Sequence, residues 1–119
     1  MIHNFRELEV WKDSYGLVWD IYLQCKELRE DEKFGLKSQI QRSAVSIPSN
    51  IAEGSGRTTD KEYLRFLNMA IYSSYELATQ LLLCSDIFKL KIDLIINKLH
   101  STQRMIGGLK RKLNKSCPL

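Results

Sequence analysis

Two sets of polar residues in this chain recur at helical spacing, and they are its candidates for binding chemistry. The first lies in Q-R-S-A-V-S-I-P-S-N-I-A-E-G-S-G-R, from Gln41 to Arg57. With about 100° of turn per residue, Arg42, Ser46, Ser49 and Glu53 share one side of a helix, with Asn50 beside them. Arg57 stands four residues beyond Glu53, the spacing of an ion pair. Such residues make either a solvated face or a hydrogen-bonded network between helices or subunits, in which Arg and Asn set the register, and their spacing leaves both readings open. The second set, His100, Arg104, Arg111 and Lys115, falls on a stripe opposite Leu99, Ile106 and Leu113, with Lys110 and Lys112 close by. It is either an ordinary solvated face or, repeated round a ring of subunits, a basic belt for the backbone of RNA or DNA, with salt-dependent affinity.

Nothing in the chain reads as catalytic machinery. Its two histidines, His3 and His100, lie near opposite ends and assemble no triad. Gly54-Ser55-Gly56-Arg57 lacks the spacing of a phosphate-binding loop, and no Glu-x-x-His pair of the di-iron bundle type occurs. No metal or cofactor is expected. Cys25, Cys84 and Cys117 are odd in number, far apart and without a Cys-x-x-Cys pair, which reads as reduced thiols in a cytoplasm. The aromatic residues stand at core spacing in the first and third helical segments, so no base-stacking platform is predicted.

The first polar set is carried by a helix with a fault in it. Leu36, Ile40, Ala44, Ile47 and Ile51 form a narrow apolar arc opposite the polar side. Pro48 interrupts the pattern by removing a backbone donor and freeing the Ala44 carbonyl, which costs roughly 3 kcal/mol inside a helix. Gly54-Ser55-Gly56 is a stop signal. A kinked helix is expected, in preference to one restarted at Ser46 with Pro48 in its first turn.

The remaining elements follow from periodicity. Before this stretch, Leu8, Trp11, Tyr15, Val18, Tyr22 and Cys25 form an unbroken heptad set, and Val10, Leu17, Ile21 and Leu28 form a second beside it. Together they cover more of the circumference than packing on one side requires, so the helix needs neighbours on two sides, either within the bundle or in another subunit. Arg29-Glu30-Asp31-Glu32-Lys33 reads as a loop or a frayed end, with the next helix starting near Phe34 or Gly35.

Thr58, Thr59 or Asp60 can cap a third helix, and Thr59 with Glu62 has capping-box spacing. One seam of it runs Tyr63, Leu67, Ala70, Ser74, Leu77, Leu81, Cys84, Phe88, and a second runs Leu64, Ile71, Tyr75, Ala78, Leu82. The small residues Ala70, Ser73, Ser74 and Ala78 mark the expected crossing with the second helix. The last helix runs through Ile92, Ile95, Leu99, Ile106, Leu109 and Leu113, weakened at Gly107-Gly108 by roughly 1 kcal/mol per glycine. No strand alternation competes. The expected fold is all-α, a single-domain antiparallel up-down-up-down four-helix bundle with helices over about 5–28, 35–54, 60–88 and 92–113 and a disordered tail over 114–119.

Composition agrees. A chain of 119 residues, 44% hydrophobic and 27% charged, is one ordinary globular domain. The net charge of +4 is unevenly placed: residues 94–119 hold six bases and no acid, whereas residues 1–93 hold 12 bases and all 14 acids. Neither a signal peptide nor a membrane span is expected, because the amino terminus is charged and no apolar run reaches about 18 residues.

The motifs themselves resemble a bacterial family, named after the intervening sequences of 23S rRNA that encode some of its members. The resemblance rests on F-R-E-L-E-V-W (Phe5 to Trp11), F-G-L (Phe34 to Leu36), S-I-P-S-N-I-A-E-G-S-G-R (Ser46 to Arg57), K-E-Y-L-R-F-L (Lys61 to Leu67) and E-L-A-T-Q-L (Glu76 to Leu81). It implies an antiparallel four-helix bundle that can assemble as a ring-like homopentamer. The chain is also similar to accessory variability determinant proteins of diversity-generating retroelements, pentameric bundles whose basic surfaces associate with nucleic acid and a reverse transcriptase. Carried over onto this chain, the motif makes Arg42, Ser46, Pro48, Asn50, Glu53 and Arg57 a structural or assembly signature. It departs from the family pattern at Gln41-Arg42, where two arginines are frequent, and at Ser73-Ser74, where Gly-Ser is frequent.

The sequence therefore predicts a cytoplasmic, non-enzymatic bundle that self-associates, as a pentamer, and binds RNA or DNA through His100, Arg104, Lys110, Arg111, Lys112 and Lys115. The alternative is an assembly scaffold whose partner is a polypeptide and whose basic face is only solvated.

Overall fold

A computed structural model describes residues 4–28 and 35–116. A 3-10 turn over Phe5–Glu7 leads into four helices, α1 over Glu9–Cys25, α2 over Leu36–Ser55, α3 over Asp60–Phe88 and α4 over Asp93–Ser116. Among the described residues there is no strand. The expected loop at Arg29–Lys33 and helix start near Phe34 lie outside them. The caps explain several boundaries. Asn4 accepts from the Arg6 backbone N–H and holds the 3-10 turn, so α1 begins at Glu9 and not at Phe5. Thr59 Oγ1 accepts from the Glu62 N–H at 3.2 Å, which opens α3 as its spacing predicted. At the other end Lys89, with φ of 59°, turns the chain into the left-handed region and its N–H bonds back to Ser85.

The structure decides between the two forms expected for α2 and corrects the end expected for α4. Helix α2 continues through Pro48 without a break, so it does not restart at Ser46. Ser49 Oγ donates to the Val45 carbonyl and Asn50 Nδ2 to the Ser46 carbonyl, both at 2.8 Å; these i−4 bonds go to the carbonyls next to that of Ala44, the one Pro48 leaves free, and such back-bonding tends to bend a helix. Helix α4 passes through Gly107-Gly108 and runs to Ser116, so Asn114, Lys115 and Ser116 are helical rather than part of a tail; residues 117–119 lie outside the described residues. Lys115 in the last turn offsets the partial negative charge of the terminal carbonyls.

Each helix packs on two others: α1 on α2 and α4, and α3 on α2 and α4. In two of these pairs, α1 with α4 and α2 with α3, the residue numbers of bonded partners rise on one helix as they fall on its neighbour. Asp13 and Asp20 of α1 bond to Thr102 and Lys98 of α4, and Ser43 and Ser46 of α2 bond to Gln80 and Ser73 of α3. The long dimension of the bundle, 45 Å, is about the length of α3 alone, 29 residues at roughly 1.5 Å each.

The core is the apolar arc of α2, with Ile40, Ala44, Ile47 and Ile51 fully buried, meeting Leu17 and Ile21, Leu67, Leu77 and Leu81, and Leu99 and Ile106. In α1 the shorter apolar set faces this core, while the unbroken heptad set, apart from the buried Cys25 at its end, is turned partly aside: Trp11 and Val18 are half-buried and Tyr15 and Tyr22 exposed. The wheel shows two stripes but not which one meets the other helices.

Gly54 fixes the distance between α2 and α3. A Cβ there would stand 2.8 Å from Phe66 Cβ and 2.9 Å from Tyr63 Cδ1. No glycine has positive φ, so Gly54 serves close approach, not a left-handed stop. Gly54→Ala is expected to destabilise the fold by about 1–3 kcal/mol through overpacking, read as a lower denaturation midpoint; a midpoint equal to wild type would show that the helices separate freely.

Candidate functional site

The structure divides the first polar set between the α2–α3 seam and the surface. Ser43, buried and absent from the predicted set, lies 2.8 Å from Glu76 Oε1 and 2.9 Å from Gln80 Oε1. A hydroxyl has one proton and donates to one of them; with the Gln80 amide turned over, its N–H would donate to Ser43, and the Gln39 amide, whose Oε1 now faces Gln80 Nε2 at 3.5 Å, would turn over with it. Next along the seam, Ser46 Oγ and Ser73 Oγ share a hydrogen bond of 2.8 Å, and Asn50 Nδ2 donates to Ser46 Oγ at 3.0 Å. Ser46 and Asn50 thus belong to an interhelical network, as one of the two readings required, and Ser73 stands at the crossing that its size suggested.

The other members face water. Arg42 is exposed at the rim of a polar recess lined by Gln39, Ser43, Ser46, Glu76 and Gln80. Glu53 and Arg57 form a surface pair at 3.5 Å, of the kind that contributes little to stability. Arg57 is ordered further by lying 4.5 Å over the Phe66 ring. Pro48 is buried on the other side of α2, in an apolar groove with Trp11, Tyr15 and Trp19. Sequence reasoning missed Ser43, Glu76 and Gln80 as network members, because their pairing depends on the register between two helices.

On α4 the second set holds together. His100, Arg104, Arg111 and Lys115 are all exposed on the outward side, away from Leu99 and Ile106. None of the four forms a hydrogen bond or ion pair among the described residues, and the only acid of α4 is Asp93, at its start. His100, Arg104 and Arg111 line one shallow recess with Gln103 and Gly107, and Gln103 is tied to Ser74 of α3 at 3.0 Å. Lys112 is exposed but off the stripe, and Lys110 is half-buried on the opposite flank. A row of unneutralised cations of this kind attracts polyanions and offers two guanidinium forks for phosphate oxygens.

Large apolar side chains also reach the surface. Trp19 is 62% exposed beside the α1–α2 groove, Tyr72 64% on the outer side of α3, and Leu94 72% at the start of α4. Among the described residues no group of three potential ligands stands together as a metal site, and no helix is long and apolar enough to cross a membrane.

Cys25 and Cys84 are buried thiols. Burial, and then the neighbouring Cys84, push the Cys25 thiol up from 9.0 to about 11, against a smaller opposite pull from Lys37. No Cα of α1 comes within 8 Å of one in α3, which is too far for a disulfide between them. Because the raised thiol keeps its proton longer when folded, its contribution to stability is complete below about pH 9 and is lost as pH rises through about 11. In a Cys117→Ser variant at neutral pH, both remaining thiols are expected to react with an aromatic disulfide reagent only as fast as the protein opens; immediate reaction of either would contradict this burial.

A comparison with protein families matches residues 6–108 to the family described as 23S rRNA-intervening sequence protein. A comparison with individual curated proteins gives no match.

Proposed function

This chain belongs to the 23S rRNA-intervening sequence protein family, and on that premise we propose a non-enzymatic, cytoplasmic, self-associating bundle that binds RNA or other nucleic acid through the outward face of α4. The observation that carries the proposal is the stripe of His100, Arg104, Arg111 and Lys115, exposed and unpaired among the described residues on a helix with no acid after Asp93. Charges that served only to stabilise α4 would be needed in its last turn; this stripe begins four turns earlier. In this reading the helices run antiparallel, up-down-up-down, as the opposed numbering of their bonded pairs supports, and α2 bends at Pro48.

Self-association is supported by two unlike apolar surfaces, the α1–α2 groove around Trp19 and the outer face of α3 around Tyr72 and Tyr75. A contact between unlike faces is heterologous, and where the rotation between subunits closes it makes a ring, the form a homopentamer takes. The same exposed residues favour the second reading, a scaffold for a polypeptide partner with no nucleic-acid role.

Replacing Arg104, Arg111 and Lys115 by Glu tests the first reading. Helicity and mass are expected to stay the same, while affinity for an RNA hairpin at low salt falls by about a hundredfold or more and the salt slope flattens. Unchanged affinity and slope would remove α4 as the binding face, and a polypeptide partner captured equally by both forms would favour the scaffold.

A further inference from the structure

Gly107 and Gly108 sit inside α4, where glycine weakens a helix relative to alanine. The usual structural reasons for glycine are missing at both positions. Neither has a positive φ, and the helix passes through them without a turn. A Cβ at Gly107 would meet Arg111 Nη1 at 3.5 Å, and one at Gly108 would meet Arg111 Nη2 at 3.8 Å. Both are ordinary contacts with the free end of a flexible side chain, unlike the 2.8 Å approach that Gly54 makes to Phe66. No demand from the described residues therefore accounts for the pair.

What surrounds them does point outward. Gly107 lies in the recess lined by His100, Gln103, Arg104 and Arg111, and the guanidinium of Arg111 folds back over both glycines. With the Arg111 guanidinium, unpaired among the described residues, swung out onto a phosphate, the backbone it covers carries no side chain and is a surface that another chain of alternating sugar and phosphate can touch directly.

We infer that Gly107-Gly108 forms a saddle in which the sugar–phosphate backbone of a nucleic acid lies in van der Waals contact with α4, its phosphates held by Arg104 and Arg111. This rests on the nucleic-acid reading proposed above and names the place and geometry of contact. The saddle has a distinctive consequence: methyl groups at these positions strengthen the helix and weaken binding together.

The test compares three variants with wild type by thermal unfolding, mass and anisotropy of a labelled RNA hairpin at low salt. For Gly107→Ala with Gly108→Ala, the unfolding midpoint is expected to rise, with mass unchanged, while affinity falls by about tenfold, the loss of roughly one to two phosphate contacts. Gly16→Ala is the control. Gly16 is in α1 with nothing within 4 Å of an added Cβ, so its midpoint is expected to rise with affinity unchanged. Arg104→Glu with Arg111→Glu is expected to abolish binding. If the charge reversals abolish binding and the double alanine variant binds as wild type does, the saddle is wrong and the basic face stands. Equal losses in the Gly16 and Gly107-Gly108 variants would overturn the saddle in favour of a general effect of helix stiffness. No effect from the charge reversals would remove the nucleic-acid reading and the saddle with it.

Discussion

The constraint on which the rest of the structure depends is the closeness of α2 to α3. At Gly54 the two helices leave no room for a methyl group, and at Ser46 and Ser73 two hydroxyls span the gap directly. At that distance only small or hydrogen-bonding side chains fit the seam, and Ser43, Ser46, Asn50 and Gln80 supply them. Their bonds have to be made, since an unpaired polar group in such a place costs about 1–3 kcal/mol. Among the described residues no buried side-chain nitrogen or oxygen lacks a partner. The seam therefore specifies a register more than it adds net stability, and α1 and α4 dock on the pair it defines.

From that arrangement follows a separation of surfaces. Of the polar groups of α2, Ser43, Ser46 and Asn50 are taken up along the seam with α3, whereas Arg42, Ser49 and Glu53 face water, with Arg57 beside Glu53. Helix α1 meets α4 through Asp13 with Thr102 and Asp20 with Lys98, which uses one of the cations of α4 and two of the acids of α1. The cations that remain on the outward side of α4 have no acid to meet among the described residues. Apolar side chains collect elsewhere, in the α1–α2 groove and on α3, so the surface that suits a phosphate backbone and those that suit a second protein do not compete.

Much of this was legible from spacing alone. The apolar arc of α2 survived Pro48, because the ring replaces one hydrogen bond while four isoleucine and alanine side chains continue to bury the same face. Thr59 and the basic stripe of α4 were readable for the same reason: a cap and a stripe are properties of one helix. What depended on two helices was not readable. Nothing in Ser43 or Gln80 as residue types marks them as partners, and the two apolar stripes of α1 could not be ranked until α2 and α4 were in place. Gly54 was read as a stop, whereas its use is the approach of Phe66 and Tyr63, a contact between residues far apart in sequence. The reach of α4 to Ser116 exceeded its apolar pattern, because Asn114 and Lys115, both exposed, continue the helix past Leu113 without adding to the core, and Lys115 suits a helix end.

The measurement that bears most directly on this account is a salt titration of the unmodified protein against an RNA hairpin and a DNA duplex, with mass determined on the same samples. If α4 presents its free cations to a phosphate backbone, log affinity falls linearly with log salt, with a slope near 0.9 per phosphate contacted on the duplex, and the binding species is larger than one chain. Absence of binding at low salt, or affinity indifferent to salt, would contradict the account and leave the apolar surfaces as the functional ones.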